Sequence, residues 1–183
     1  MVDRLAALLA AAGGAYFAAF MILVLVAPPA EGSAPYYALL YGIPIAMAAT
    51  TIGIGGLSLG WLGGDGVARG LGIISAVAAA GITLAILYLY FVGDLGMNAV
   101  DLLFPAFAVA TGLVGARIVF RHRDRLPGLL LSAGWIAAAA WLIALFGPGD
   151  ASATPVTFGL VMLAWGLVGL LRLRPSAHVV ATA

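Results

Sequence analysis

One short segment of this sequence has polar residues whose types and spacing could bind a cation or a proton. They are Asp94, Asn98 and Asp101. Asp101 is the one carboxyl that falls within an apolar run, and an ionisable group in such a setting is costly and marks function by default. Together the three residues predict a cation-attracting or proton-accepting site at the mouth of a helical bundle. The structural alternative is a capping arrangement, with Asn98 as N-cap and Asp101 three residues later.

Threonine hydroxyls are the next candidates, because few other polar groups occur inside the apolar runs. Thr50 and Thr51 follow Pro44 by about two helical turns, and Thr111 lies in another run. If a polar pathway crosses the bundle, these three residues are expected to line it. The alternative is that each hydroxyl bonds the carbonyl one turn earlier in its own helix.

A basic segment near the middle of the chain forms the third candidate site. Four arginines occur within nine residues, namely Arg117, Arg121, Arg123 and Arg125. Short basic segments beside a membrane attract anionic lipids, so this segment predicts contact with lipid headgroups. Its alternative role is to fix the topology of the chain.

Several kinds of chemistry are excluded by the residues that the sequence lacks. There is no cysteine or lysine, and His122 and His178 both fall outside the apolar runs. Thiolate metal sites, a retinal Schiff base, axial haem ligation and a histidine metal site within the bundle are therefore not expected. We expect no cofactor, no metal, no nucleic-acid partner and no enzymatic activity.

The overall composition indicates that lipid is the solvent for most of this chain. Of its 183 residues, 64% are hydrophobic and 8% are charged, whereas a soluble domain has about 25% charged residues. We expect an all-α, polytopic membrane protein with a single transmembrane domain over residues 1–183. A spanning helix needs about 20 apolar residues. The six predicted spans are residues 5–27, 36–62, 71–92, 99–120, 128–146 and 155–171.

Charge is distributed very unevenly between the two sides that these spans define. All eight basic residues are arginines and fall on one side, which is the side of both termini. The other side carries only acidic residues, namely Glu31, Asp94, Asp101 and Asp150. Because short arginine-rich loops stay in the cytoplasm, the sequence predicts cytoplasmic N- and C-termini in a cell membrane such as a prokaryotic inner membrane. The first apolar run is longer than that of a signal peptide, so it is expected to be a retained span.

Two segments of the chain align without gaps at an offset of 56 residues. The aligned pairs are Arg69 with Arg125, Gly72 with Gly128, and Gly93-Asp94 with Gly149-Asp150. The first span has a looser version of this pattern, from Arg4 to Glu31, so the likeness suggests three helical hairpins of common design. The alternative is that any hairpin that starts basic and ends acidic resembles another. Small residues also recur four apart, as in Gly14 with Ala18, Gly56 with Gly60, and Ala108 with Gly112. In lipid such spacing predicts close contact between helix backbones.

Taken together, these features predict a non-catalytic membrane protein. The expected role is a component of a homo-oligomer or of an assembly with a partner membrane subunit, or a binder of a lipid-like ligand. Membrane lipids are expected partners in every case. The alternative is a small-solute channel or transporter, which would use the acidic mouth and the threonines described above.

Overall fold

The protein is all-helical throughout the residues that the computed structural model describes, which are 2–92, 95–121, 125–146 and 153–174. In chain order the helices are α1 (Val2–Val26), α2 (Ala34–Leu59), α3 (Gly66–Phe91), α4 (Leu95–Arg121), α5 (Leu126–Leu131), α6 (Ala133–Phe146) and α7 (Ala153–Leu173). They include six candidate spans, of which the fifth runs through α5 and α6. The prediction of an all-α chain with six helices long and apolar enough to cross a membrane is confirmed.

The helix boundaries depart from the predicted ones at two places. α2 ends at Leu59, and a glycine-rich turn then leads to α3, which begins five residues before the predicted start because Asp65 caps it. α4 begins at Leu95, so Asn98 lies inside its first turn. The interpretation of Asn98 as the N-cap is therefore wrong.

The fifth span is interrupted at Ser132, directly after the six residues of α5. The backbone N–H and the hydroxyl of Ser132 both donate to the Gly128 carbonyl, at 3.0 and 2.9 Å. The N–H of Trp135 donates to the Ser132 carbonyl at 3.0 Å, which is the tighter bonding of a 3₁₀ turn. The interruption is local, and residues 126–144 still form one candidate span.

The helices pack as a ring in chain order, and the ring closes between the first and last helices. α1 lies between α2 and α7, α3 lies between α2 and α4, and α4 contacts both parts of the fifth span. α7 also reaches α2 and α4 across the ring, and its span has the largest buried share of the six. Many of the exposed side chains are large and apolar, which is compatible with a surface that faces lipid.

Successive spans run antiparallel, so all of the described arginines lie at one end of the bundle. Contacts at this end join α1 to the turn after α2 through Asp3 and Gly60, and join the same turn to α7 through Trp61 and Arg172. We call this end the arginine end. The described residues that define it are Arg4, Arg69, Arg117, Arg121, Arg125, Arg172 and Arg174.

Glycine and alanine bring the backbones of α1 and α7 into direct contact. A Cβ atom added at Gly14 would overlap the backbone of Gly166, and one added at Gly169 would lie 2.9 Å from the N atom of Ala11. No side chain separates the two helices at these points. Because lipid tails are as apolar as the helices, such close packing is a main source of attraction between helices in a membrane.

Close packing of a glycine on a neighbouring backbone also joins α1 to α2, and α4 to the fifth span. Gly53 packs on Ala10 of α1, where an added Cβ would lie 2.5 Å from the Ala10 N atom. Gly134 packs on the backbone of Gly112, where an added Cβ would lie 2.6 Å from the Gly112 N atom. The prediction that the small-residue patterns of α1 and α4 allow close backbone contact is confirmed at Gly14 and Gly112.

The predicted hairpin repeat has a limited structural counterpart. Gly72 packs on Ser58 of the preceding helix, and its aligned residue Gly128 packs on Gly115 of its own preceding helix. The two glycines thus have equivalent positions at the arginine end. This likeness does not test whether the hairpins arose by duplication, which stays a prediction.

We predict that Gly166→Ala destabilises the bundle by about 1–3 kcal/mol, because the new methyl group would push α7 away from α1. Gly55→Ala is the matched control, since a Cβ there would meet only the Ala76 methyl group at an ordinary 3.9 Å. It should be neutral or stabilising by up to about 1 kcal/mol through helix propensity. Unfolding in detergent micelles measures both, and equal effects would contradict the packing account.

Candidate functional site at the arginine end

The turn between α2 and α3 lies across the arginine end and is fixed at several points. Its backbone is closed by hydrogen bonds from Gly63 N–H to the Gly60 carbonyl and from Asp65 N–H to the Leu62 carbonyl, at 3.1 and 3.0 Å. The Leu62 side chain is fully buried in the core. The Trp61 ring lies 4.0 Å from the guanidinium carbon of Arg172, which is a cation–π contact with α7.

Asp65 joins this turn to α4 through a two-point ion pair. One carboxylate oxygen accepts from Nε of Arg117 at 2.8 Å and the other accepts from its NH2 group at 3.2 Å. The carboxylate also accepts from the backbone N–H groups of Val67 and Ala68, at 3.1 and 3.2 Å, and so caps α3. A single carboxylate therefore fixes both the start of α3 and the end of α4.

These contacts hold Asp65 in its charged form. The hydrogen bond from Arg117, supported by the N–H groups of Ala68 and Val67, lowers the pKa of Asp65 from 3.8 to about 2, against the opposing effect of burial. The Asp65 side chain is 13% exposed and that of Arg117 is 27% exposed. The pair is therefore shielded from water more than an ordinary surface salt bridge.

An open cleft of about 510 Å³ lies beside this ion pair. The residues that line it are Gly64, Asp65, Gly66, Val67, Arg117 and Arg121. A Cβ atom added at Gly64 or Gly66 would meet nothing within 4 Å, so the missing side chains leave the cleft open. We call this feature the arginine cleft.

The structure separates the four arginines that the sequence grouped together. Arg117 is paired with Asp65, and Arg121 lines the same cleft one turn later on α4. Arg125 is exposed before α5 and does not line the cleft, and Arg123 lies outside the described residues. Of the predicted headgroup contacts, two therefore share one site.

A second polar cluster lies in the core and joins three helices. Thr111 of α4 accepts a hydrogen bond from Nε1 of Trp165 at 3.1 Å, and its hydroxyl lies 2.7 Å from that of Ser75. All three residues are fully buried. Because each polar group has a partner, the cluster ties α3, α4 and α7 together without leaving an unpaired donor.

The other two predicted pathway threonines make separate contacts. Thr50 donates to the Ala46 carbonyl of its own helix at 2.9 Å. Thr51 lies 3.5 Å from the Thr83 hydroxyl, which itself donates to a carbonyl of α3. The Thr51 and Thr111 contacts are eight residues apart on α3, or about 12 Å. Whether a pathway links them stays a prediction.

The predicted acidic mouth is placed only in part. Asp94 lies outside the described residues, as do the side chains of Asn98 and Asp101. The backbone places the latter two in the first two turns of α4, at the end of the bundle opposite the arginines. Their proposed role as a cation-attracting site stays a prediction.

The chemistry available to the described residues is that of charge and hydrogen bonding. Within the described ranges, no group of three His, Cys, Asp or Glu side chains is placed to hold a metal. In the same part of the chain, every buried side-chain nitrogen or oxygen has a hydrogen-bond partner. All of the described arginines lie at the arginine end, where Arg117 and Arg121 line the cleft and offer guanidinium groups to an anion.

Sequence reasoning missed Asp65, Ser75 and the role of Trp165. The Asp65 cap had a usable signal, since an aspartate directly before an apolar helical run is a common N-cap. The partners of Arg117 and Trp165 had none, because those contacts join residues more than 50 positions apart.

We predict that Thr111→Val destabilises the bundle by about 1–3 kcal/mol, because it leaves the Trp165 N–H buried without an acceptor. Thr50→Val is the matched control, as that buried hydroxyl bonds only its own helix. Its cost should be clearly smaller. Unfolding in detergent compares the two, and a Thr50 effect as large as that of Thr111 would count against the three-helix cluster.

We predict that Asp65→Asn lowers the melting temperature at neutral pH by roughly 2 °C, because asparagine keeps the helix cap but loses the ion pair. The pKa of Asp65 is lower in the folded state, so its stabilisation is complete above about pH 4. It is lost as the pH falls towards about 2. Melting curves of both proteins should therefore converge at low pH, and a pH-independent difference would rule out the charge as its cause.

The arrangement at the arginine end is thus a capped, ion-paired turn beside an open basic cleft. Comparison of the chain with protein-family models, with curated proteins and with solved structures finds no match.

Proposed function

We propose that this chain is a non-catalytic integral membrane protein, and that it serves as a compact helical component of a homo-oligomeric or hetero-oligomeric membrane assembly. It lies in a cell membrane with the arginine end in the cytoplasm, where the positive-inside rule would place it. The six apolar helices are compatible with an integral membrane protein. The proposal adds the role, the orientation and the partners to that observation.

The observation that carries the proposal is the pairing of every buried polar side-chain atom within the described residues. A conduit for polar solutes needs groups that exchange partners with the solute. The core hydroxyls instead bond their own helices or one another, as Thr50 and Thr111 do. Together with backbone contact at Gly14 and Gly166, this supports a packed bundle.

Exposed apolar side chains on the outer surface of the bundle support the proposal that this surface contacts a partner subunit or lipid. α2 and α3 present rows of exposed apolar side chains seven residues apart, which lie on one face of each helix. The rows consist of Ile45, Ile52 and Leu59 on α2, and of Val77, Leu84 and Phe91 on α3. Such faces suit either a neighbouring helix or lipid tails.

The test is native mass spectrometry of the full chain released from membranes in mild detergent. The proposal predicts a defined oligomer, or a complex with a partner membrane protein, that survives dilution. The matched variant carries Leu84→Ala and Ile52→Ala in the exposed rows, which should dissociate the assembly without unfolding the bundle. If the folded protein is a monomer that retains no partner membrane protein, the proposal is contradicted.

The alternative of a small-solute channel or transporter gives a different result in liposomes. It predicts solute flux above that of protein-free liposomes, and loss of that flux on Asp101→Asn. The packed-bundle proposal predicts no flux with either protein. Flux that depends on Asp101 would support transport as the function and would contradict the assembly role.

A further inference from the structure

We propose that the arginine cleft binds the phosphate group of an anionic phospholipid headgroup. The inference rests on the proposed function only in that the bundle must lie in a membrane. It narrows the headgroup contact predicted from four arginines to one site with defined residues.

The two arginines that line the cleft keep guanidinium donors that the described residues do not use. Arg117 uses Nε and NH2 for Asp65, so its remaining N–H groups are available, since a guanidinium carries five donors. Arg121 lies one turn further along α4 and forms no ion pair within the described residues. Two guanidinium groups on one helix face can therefore hold one phosphate through charge-assisted hydrogen bonds.

The charge of the cleft matches a phosphodiester. Arg117 and Arg121 are positive and Asp65 is negative, which leaves one net positive charge among the lining residues. Asp65 is held ionised by its partners, so this balance persists at physiological pH. A headgroup with one net negative charge neutralises the cleft, whereas a dianion would meet the Asp65 carboxylate without compensation, and a headgroup with no net charge would leave the cleft positive.

The position of the cleft and one of its walls favour a lipid over a soluble anion. The cleft lies at the end of the α4 span, which is the level of the headgroups. Val67 lines it and is 55% exposed, and Phe120, the neighbour of Arg121, is 86% exposed. These apolar surfaces can contact the glycerol and upper acyl region of a lipid. A free phosphate ion makes no favourable contact with them.

The glycines provide space for the headgroup. Gly64 and Gly66 have open space where a Cβ atom would be, and neither adopts a positive φ angle. Side chains can therefore be added at these positions without backbone strain. A bulky residue at Gly64 should close the cleft while leaving both arginines in place, which separates shape from charge.

The experiment titrates the full chain in detergent with phosphatidylglycerol and measures binding by native mass spectrometry. Phosphatidylcholine and inorganic phosphate are the comparison probes. Arg121→Gln should weaken phosphatidylglycerol binding by about tenfold or more, the loss expected for a charge-assisted hydrogen bond. Gly64→Leu should weaken it by about tenfold as well, because the added side chain fills the space that the headgroup needs. The matched controls are Arg125→Gln, which removes an equal charge outside the cleft, and Gly70→Leu, which adds a side chain in open space. Both should change affinity by less than about twofold, the margin of a screened surface charge.

The outcomes separate the possible explanations. Equal losses for Arg121→Gln and Arg125→Gln would show diffuse attraction to a basic surface and would overturn the inference, as would equal binding of phosphatidylcholine. Competition by inorganic phosphate that disappears in Arg121→Gln would support a phosphate site and assign it to a soluble anion. If the oligomer persists but phosphatidylglycerol does not bind, this inference fails while the proposed function stands.

Discussion

Backbone contact between α1 and α7 is the constraint on which the rest of the bundle depends. In lipid no hydrophobic effect drives one helix onto another, so the attraction must come from dense packing and from hydrogen bonds between helices. Gly14 and Gly166 allow this density, because a side chain on either would overlap the partner backbone. The contact also closes the ring, since α1 and α7 are the first and last helices of the described residues.

The closed ring explains where polar groups are tolerated. Inside it, the hydroxyls of Ser75 and Thr111 and the indole N–H of Trp165 satisfy one another, which is the arrangement that a low-dielectric core requires. The described arginines lie at the arginine end, where Asp65, the N-cap of α3, pairs with Arg117 in the last two turns of α4. The interior is thus suited to holding helices together, and the end is suited to meeting charge.

Much of the fold could be predicted because its main signals are local. Apolar runs of about 20 residues indicate the spans, and the chain brings the arginines to one end through simple alternation. Which helices pack against each other could not be predicted, because the pattern around Gly14 indicates a close contact but does not identify Gly166 as its partner. For the same reason the sequence grouped Arg117 with Arg125, whereas the fold pairs Arg117 with Asp65 and leaves Arg125 outside the cleft.

The candidate site was found only in part, and the reason is again distance along the chain. Arg117 and Arg121 were identified from their own segment, but the wall that completes the cleft comes from the glycine-rich turn at Gly64–Gly66. That turn follows the predicted second span, residues 36–62, and its sequence does not indicate that it lies beside α4. Its function in the fold follows from Asp65, whose carboxylate caps α3 and also binds Arg117, 52 residues further along the chain.

The spacing of α1 and α7 in a structure determined in lipid nanodiscs measures whether backbone contact closes the ring. Such contact requires the helix axes to approach at Gly14 and Gly166 more closely than the usual 8–10 Å between packed helices. A spacing of about 10 Å or more at this point, with side chains or lipid between the helices, would contradict it.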